Sequence, residues 1–262
     1  MLTDSHCHLD HLDLTPYDGG LDDLLAAARS RGVSRFLTIG IDLESSRKQI
    51  ELARRYPDVF ASAGVHPMNG HHPLDLDALE QLARCAEVIG VGETGLDYHY
   101  HPEHGEAQRD SFAGHLEVAC KVRKPIIVHT REAQRDTLDL IRSVGPMEAG
   151  GVLHCFTESR EMAHAVLDHN FYISFSGILT FRNAVELRQV AASLPLSRIL
   201  IETDSPWLAP VPYRGKENQP AYLPEVAECL ATLHNCSPEE VARTTSSNFE
   251  RLFDVEPRYS YC

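Results

Sequence analysis

Short apolar runs rich in β-branched residues recur eight times along this chain, each followed by a stretch of helical periodicity. The runs fall at 2–9, 35–40, 59–65, 88–93, 125–129, 151–154, 171–175 and 199–204. Helical patterns separate them at 21–28, 43–56, 76–85, 104–122, 133–144, 160–169 and 185–192, and two more close the chain at 223–234 and 238–253. Strands that alternate with helices pair in parallel, because each crossover needs a helix to return the chain to the same edge. Eight such units suit a closed barrel of about 250 residues. The expected fold is therefore α/β, a single-domain (β/α)8 TIM barrel over residues 1–262. An open doubly wound sheet is the alternative, but no glycine-rich phosphate turn follows the first run.

Composition narrows the function classes. The formal net charge of −14 disfavours broad nucleic-acid binding, which depends on Lys and Arg neutralising phosphates. It leaves room for a local positive site, because a bound metal ion is often the largest charge in its neighbourhood. Seven cysteines lie scattered without a C-x-x-C pair, which argues against a disulfide framework or a cysteine zinc site. Cys7 and Cys155 each adjoin a candidate ligand, but strand parity turns them away, so both are expected to be small buried hydrophobes. No apolar stretch approaches the roughly 20 residues that span a bilayer, and no signal-like opening is visible. A cytoplasmic protein without membrane contact or an obligate protein partner is expected.

In such barrels the chemistry sits at the carboxyl ends of the strands. The polar residues there are His6 and His8, His66, Glu93, His129, His154 and Asp204. His6 and His8 share one face of the first run, since side chains on a strand alternate. Any one of these residues alone reads as a buried, hydrogen-bonded polar group. Six or seven at one topological position are difficult to explain by packing, because unpaired buried polar groups cost free energy. Four imidazoles and two carboxylates exceed the needs of one tetrahedral ion. They suit two ions a few ångströms apart sharing Glu93, whose carboxylate offers two oxygens. The mixed nitrogen and oxygen set favours zinc, manganese, nickel or iron over magnesium. Parity also places Asp4 and Glu202 on the inner face one layer below, either orienting imidazoles or forming simple buried polar pairs.

These residues stand in a familiar series. D-S-H-C-H-L-D at 4–10, G-V-H-P at 64–67, G-E-T-G-L-D-Y at 92–98, V-H-T-R at 128–131, H-C-F at 154–156, E-T-D-S-P-W-L at 202–208 and R-G-K-x-N-x-P at 214–220 run through nearly the whole chain. The series resembles the TatD-type metal-dependent deoxyribonucleases of the amidohydrolase superfamily, in particular the bacterial YcfH-like branch. The resemblance implies a TIM barrel with two divalent ions (Mg, Mn or Zn), and hydrolysis of phosphodiester bonds in DNA. It implies one ion on His6, His8, Glu93 and Asp204 and the other on Glu93, His129 and His154, with His66 lining the substrate phosphate site.

On that basis the expected catalytic residues are Asp204 as general base, Glu93, and His66 against the phosphate or leaving group. Arg131, Arg214 and Lys216 are candidate phosphate contacts, or else solvated surface charge. Tyr98, Tyr100, Phe156 and Trp207 either stack on a base or pack within loops. Without a basic groove the expected partner is single-stranded DNA or a strand end, and the resemblance suggests a 3′–5′ exonuclease. Two rivals stand beside it: an amidohydrolase-like enzyme for a small amide or phosphoester, and a non-catalytic metal-binding interaction protein.

Overall fold

In the computed structural model, which describes residues 1–69 and 73–256, the eight strands lie in the order of the sequence, each parallel to the next. They are β1 (Leu2–Cys7), β2 (Val33–Thr38), β3 (Val59–Ala63), β4 (Val88–Asp97), β5 (Ile126–Arg131), β6 (Gly151–Leu153), β7 (Phe171–Phe175) and β8 (Ile199–Ile201). The intervening helices are α1 (Leu21–Ser30), α2 (Leu43–Arg55), α3 (Leu76–Ala83), α4 (Gly105–Val122), α5 (Gln134–Ser143), α6 (Arg160–Leu167) and α7 (Val185–Ser193), with α8 (Leu223–His234) and α9 (Pro238–Phe253) after the last strand. This is the expected TIM barrel. At its seam the Asp204 N–H donates to the His6 carbonyl and the His8 N–H to the Ser205 carbonyl, each at 2.9 Å. Among the described residues no helix is long and apolar enough to cross a membrane.

Strand parity divides each strand between two environments. Val59, Ala61, Val88, Ile126, Val128, Phe171, Ile173 and Ile199 join one buried cluster together with residues of α1 to α9. Leu37, Ile39, Ile89, Ile127, Val152, Tyr172 and Leu200 form a second cluster with Phe249, Leu252 and Phe253 of α9. That second set fills the barrel bore, which α9 plugs. Two residues further on, the same parity carries Ile127 to His129, Val152 to His154 and Leu200 to Glu202. The apolar floor thus gives way to a polar rim within one layer.

Several strand boundaries differ from the sequence expectation, and those of β4 and β8 bear most on the site. β4 continues past Glu93 to Asp97. Gly92 (φ 135°) and Gly95 (φ 137°) allow it, since a Cβ there would meet the Ile127 and His129 carbonyl oxygens at 2.5 and 2.0 Å. Conversely β8 ends at Ile201 rather than Asp204. Asp204 adopts a left-handed backbone (φ 56°), so a turn, and not strand alternation, aims its side chain. Cys7 is fully buried and its thiol faces the Leu37 carbonyl. Cys155 is only half-buried; it lies beyond β6 at φ 41°, so strand parity is not what sets its direction.

Candidate metal centre

Glu93 stands at the middle of the cluster, almost fully buried. Its two oxygens face different partners. Oε2 lies 3.5 Å from His6 Nε2, whereas Oε1 lies 3.2 Å from His129 Nδ1, 2.6 Å from His154 Nε2 and 3.4 Å from His66 Nε2. On the first side His6 Nε2 and His8 Nε2 sit 3.3 Å apart, and Asp204 Oδ1 is 3.7 and 3.5 Å from them. The His6 and His154 rings stack at 3.8 Å, joining the two sides. The structure therefore brings His6, His8, His66, Glu93, His129, His154 and Asp204 together.

Neighbouring carboxylates decide which nitrogen of each imidazole faces inward. Asp97 Oδ2 accepts a hydrogen bond from His129 Nε2 at 2.9 Å, which leaves the Nδ1 lone pair toward Glu93. Glu202 Oε1 lies 3.2 Å from His154 Nδ1 and also accepts the Cys155 N–H at 2.8 Å. Glu202 thus orients His154, the first of the two roles open to it. Among the described residues Asp4 makes no hydrogen bond to an imidazole nitrogen. It accepts the Thr203 N–H at 2.9 Å and the Thr203 hydroxyl at 2.6 Å, and so tethers the turn that carries Asp204. Burial pushes its carboxyl up to about 8, against those hydrogen bonds. Sequence pattern misses Asp97 because the apolar run ends at Glu93, four residues short of the end of β4. Counting two and four residues on from Glu93 along the continued strand would have found it.

His66 is held differently. Its Nδ1 accepts the Met68 N–H at 3.1 Å, so Nε2 carries the proton and faces the cluster as a donor. That suits a contact with an anionic oxygen better than a bond to a cation. Its position is set from behind by the fully buried His115 of α4, whose Nε2 accepts the Val65 N–H at 2.9 Å.

Burial raises the Glu93 carboxyl, but His154, His66 and His129 outweigh it and hold it well below the usual carboxylate range. Burial lowers His154, yet Glu93 and Glu202 push it well above an ordinary imidazole. Burial and the nearby His154 lower His6. The donor set fits a cation. His154 Nε2 lies 2.6 Å from Glu93 Oε1 but lacks hydrogen-bond geometry, and it is left without a hydrogen-bond partner among buried atoms. Donor atoms of His6, His8 and Glu93, and separately of His66, Glu93 and His129, gather within 4.8 Å.

The outer candidates divide. Arg131, two residues beyond His129, donates to the Tyr100 hydroxyl at 3.2 Å and lies over that ring. Arg214 lies 3.7 Å from the centroid of Phe181 and donates to the Ala209 carbonyl, and Lys216 sits 5.8 Å from the Tyr213 ring; among the described residues neither has a hydrogen bond or ion pair with the cluster. Trp207 is 47% exposed and edges against His8 at 5.0 Å. Tyr100 is 53% exposed, whereas Phe156 is buried against Phe175 and unavailable to a base. The Tyr98 hydroxyl is engaged with Asp136 and Arg109.

Comparison with known proteins agrees with this geometry. Residues 3–254 match the family described as TatD related DNase. The chain is 49% identical to YcfH, an uncharacterized metal-dependent hydrolase of Escherichia coli (strain K12), over 97% of this chain and 96% of that one. It is 35% identical to the 3′-5′ ssDNA/RNA exonuclease TatD of Salmonella typhimurium (strain LT2), covering 89% and 93%. The crystal structure of YJJV, a TatD homologue from Escherichia coli K12, superposes with a TM-score of 0.90 at 28% identity, covering 97% and 98%. A (β/α)8 barrel whose rim gathers five imidazoles and two carboxylates, matched over almost its full length, belongs to the TatD family of metal-dependent hydrolases.

Proposed function

We propose that this chain hydrolyses phosphodiester bonds in DNA, as a 3′–5′ exonuclease acting on single-stranded ends, with two divalent metal ions. One observation carries this reading: the two oxygens of Glu93 face two separate sets of nitrogens. His6, His8, Glu93 and Asp204 would hold one ion, and Glu93, His129 and His154 the other. Bound divalent ions polarise a phosphoryl oxygen and lower the pKa of water. As the water oxygen bonds to phosphorus and the bond to the leaving sugar oxygen breaks, the Asp204 carboxylate takes the water's proton, which then passes to the leaving oxygen. His66 donates from Nε2 to a phosphate oxygen as charge builds there. Asp97 and Glu202 keep the His129 and His154 rings in register. Arg131, Arg214 and Lys216 meet the outgoing backbone, and Trp207 or Tyr100 offers a face to the terminal base. The relative from Salmonella typhimurium, whose name includes ssDNA and RNA, supports a single-stranded substrate.

A labelled single-stranded oligonucleotide, its RNA counterpart, a chromogenic phosphodiester and a panel of cyclic amides test the proposal, each with and without chelator. Shortening of the DNA from the 3′ end, abolished by chelator, is expected. Glu93→Ala should lower that rate by at least about 10³-fold, because it removes a ligand of both ions. Cleavage that survives chelation, or turnover of amides alone, refutes the reading.

A further inference from the structure

We infer that the loop after β4 carries a separate transition-metal site, in which His101, Glu103 and His104 bind a borderline cation such as Zn²⁺. None of these three residues belongs to the central cluster. His101 Nδ1 lies 3.1 Å from Glu103 Oε1, and His104 Nε2 lies 3.6 Å from the same oxygen. One donor atom from each residue falls within 4.8 Å of the others. Ligands bound to zinc at about 2.0–2.1 Å in a tetrahedron stand roughly 3.3–3.4 Å apart, so the two shorter spacings bracket that edge. Two imidazoles and one carboxylate select zinc, nickel or copper over magnesium or calcium. The side chains of His101, Glu103 and His104 are 39%, 59% and 43% exposed, so an ion can enter and water can complete its shell.

The backbone beneath is already built. The fully buried Gln108 accepts the Asp97 N–H at 2.8 Å, and its amide donates to the Asp97 and His101 carbonyls at 3.1 Å each. Pro102–His104 is a tight 3-10 turn leading directly into α4. A loop fixed at its base loses little chain entropy when its side chains gather on an ion. His99, the first histidine of this H-x-H-x-x-H stretch, pairs with Glu132 at 2.8 Å and stays outside the triad. The loop also starts from Asp97, whose Oδ1 accepts the His99 and Tyr100 N–H groups at 3.0 and 2.9 Å while Oδ2 holds His129. An ion on the triad therefore stiffens the rim segment adjoining the central cluster.

Zinc titration of the full chain by calorimetry, with bound metal measured in parallel, tests the site. The wild-type chain should take up one equivalent more than His101→Ala/His104→Ala. Glu103→Gln should weaken the same event at least about ten-fold. His129→Ala/His154→Ala should keep it, which separates this site from the central reading. Zinc should also slow amide exchange across residues 98–105 in the wild-type chain and in His129→Ala/His154→Ala, but not in His101→Ala/His104→Ala. Equal stoichiometry in the wild-type chain and a correctly folded His101→Ala/His104→Ala variant would overturn the inference.

Discussion

At the scale of single residues, two imidazoles of the rim, His129 and His154, are each set by a carboxylate, Asp97 and Glu202. Asp97 has its Oδ2 on His129 and its Oδ1 on two backbone N–H groups. Burial raises its carboxyl, but His129 and the backbone N–H groups of Tyr100 and His99 overcome that and hold it near 2. Asp97→Asn keeps an oxygen for the two backbone donors and removes the charge beside His129. Metal affinity should fall by about 10–100-fold while the thermal midpoint moves little. Isothermal titration with zinc or manganese reads this directly, and wild-type affinity in the variant would remove Asp97 from a positioning role.

Elements transmit position to the rim as much as residues do. Helix α4 supports the end of β3 through His115, which donates from Nδ1 to the Ser111 carbonyl at 2.7 Å and accepts the Val65 N–H. Burial lowers the His115 imidazole to about 4 from an ordinary 6.5. Below about pH 6.5 the unfolded chain takes up a proton that the folded chain refuses until about pH 4. The contribution of His115 is therefore complete above pH 6.5 and is lost as pH falls toward 4, by roughly 3 kcal/mol at most. His115→Gln keeps an acceptor for Val65 but cannot titrate. Urea unfolding in chelator should show the variant less stable at pH 7.5 and the difference shrinking by pH 5. Parallel pH profiles would show that His115 is not the titrating support.

The element scale also shows where sequence pattern stops being informative. Strand positions were legible because β-branched runs alternate with amphipathic helices, and the polar rim was legible because each ligand ends such a run. The extension of β4 was not. Gly-Glu-Thr-Gly at 92–95 has little intrinsic strand preference, and only the close approach of β5 to Gly92 and Gly95 keeps it extended. Asp204 was found for a reason that proved incomplete, since its turn, anchored by Asp4 through Thr203, replaces strand alternation.

Taken whole, the molecule is an acidic body, with a formal net charge of −14. Arg131, Arg214 and Lys216 are the three proposed phosphate contacts, and two of them already lean on aromatic rings beside other carbonyls or hydroxyls. Three contacts with single-stranded DNA predict a slope of log affinity against log salt no steeper than about −2, since each contributes about −0.7. Fluorescence anisotropy across a salt series measures it. A slope near −4, which corresponds to about six contacts, would require a basic track that the net charge of −14 argues against.

What the amino-acid order determined by itself was the strand–helix alternation, the barrel it closes into, and the placing of five histidines and Glu93 at or just past the ends of apolar runs. Those follow from local periodicity, because side-chain direction along a strand repeats every second residue. What only the folded chain decided was which atoms face which. The division of the Glu93 oxygens between two nitrogen sets, the choice of His129 Nδ1 by Asp97, and the proton on His66 Nε2 all depend on partners distant in sequence. Periodicity sets the direction of a side chain but not its hydrogen-bond partner, and here the partner selects the donor atom.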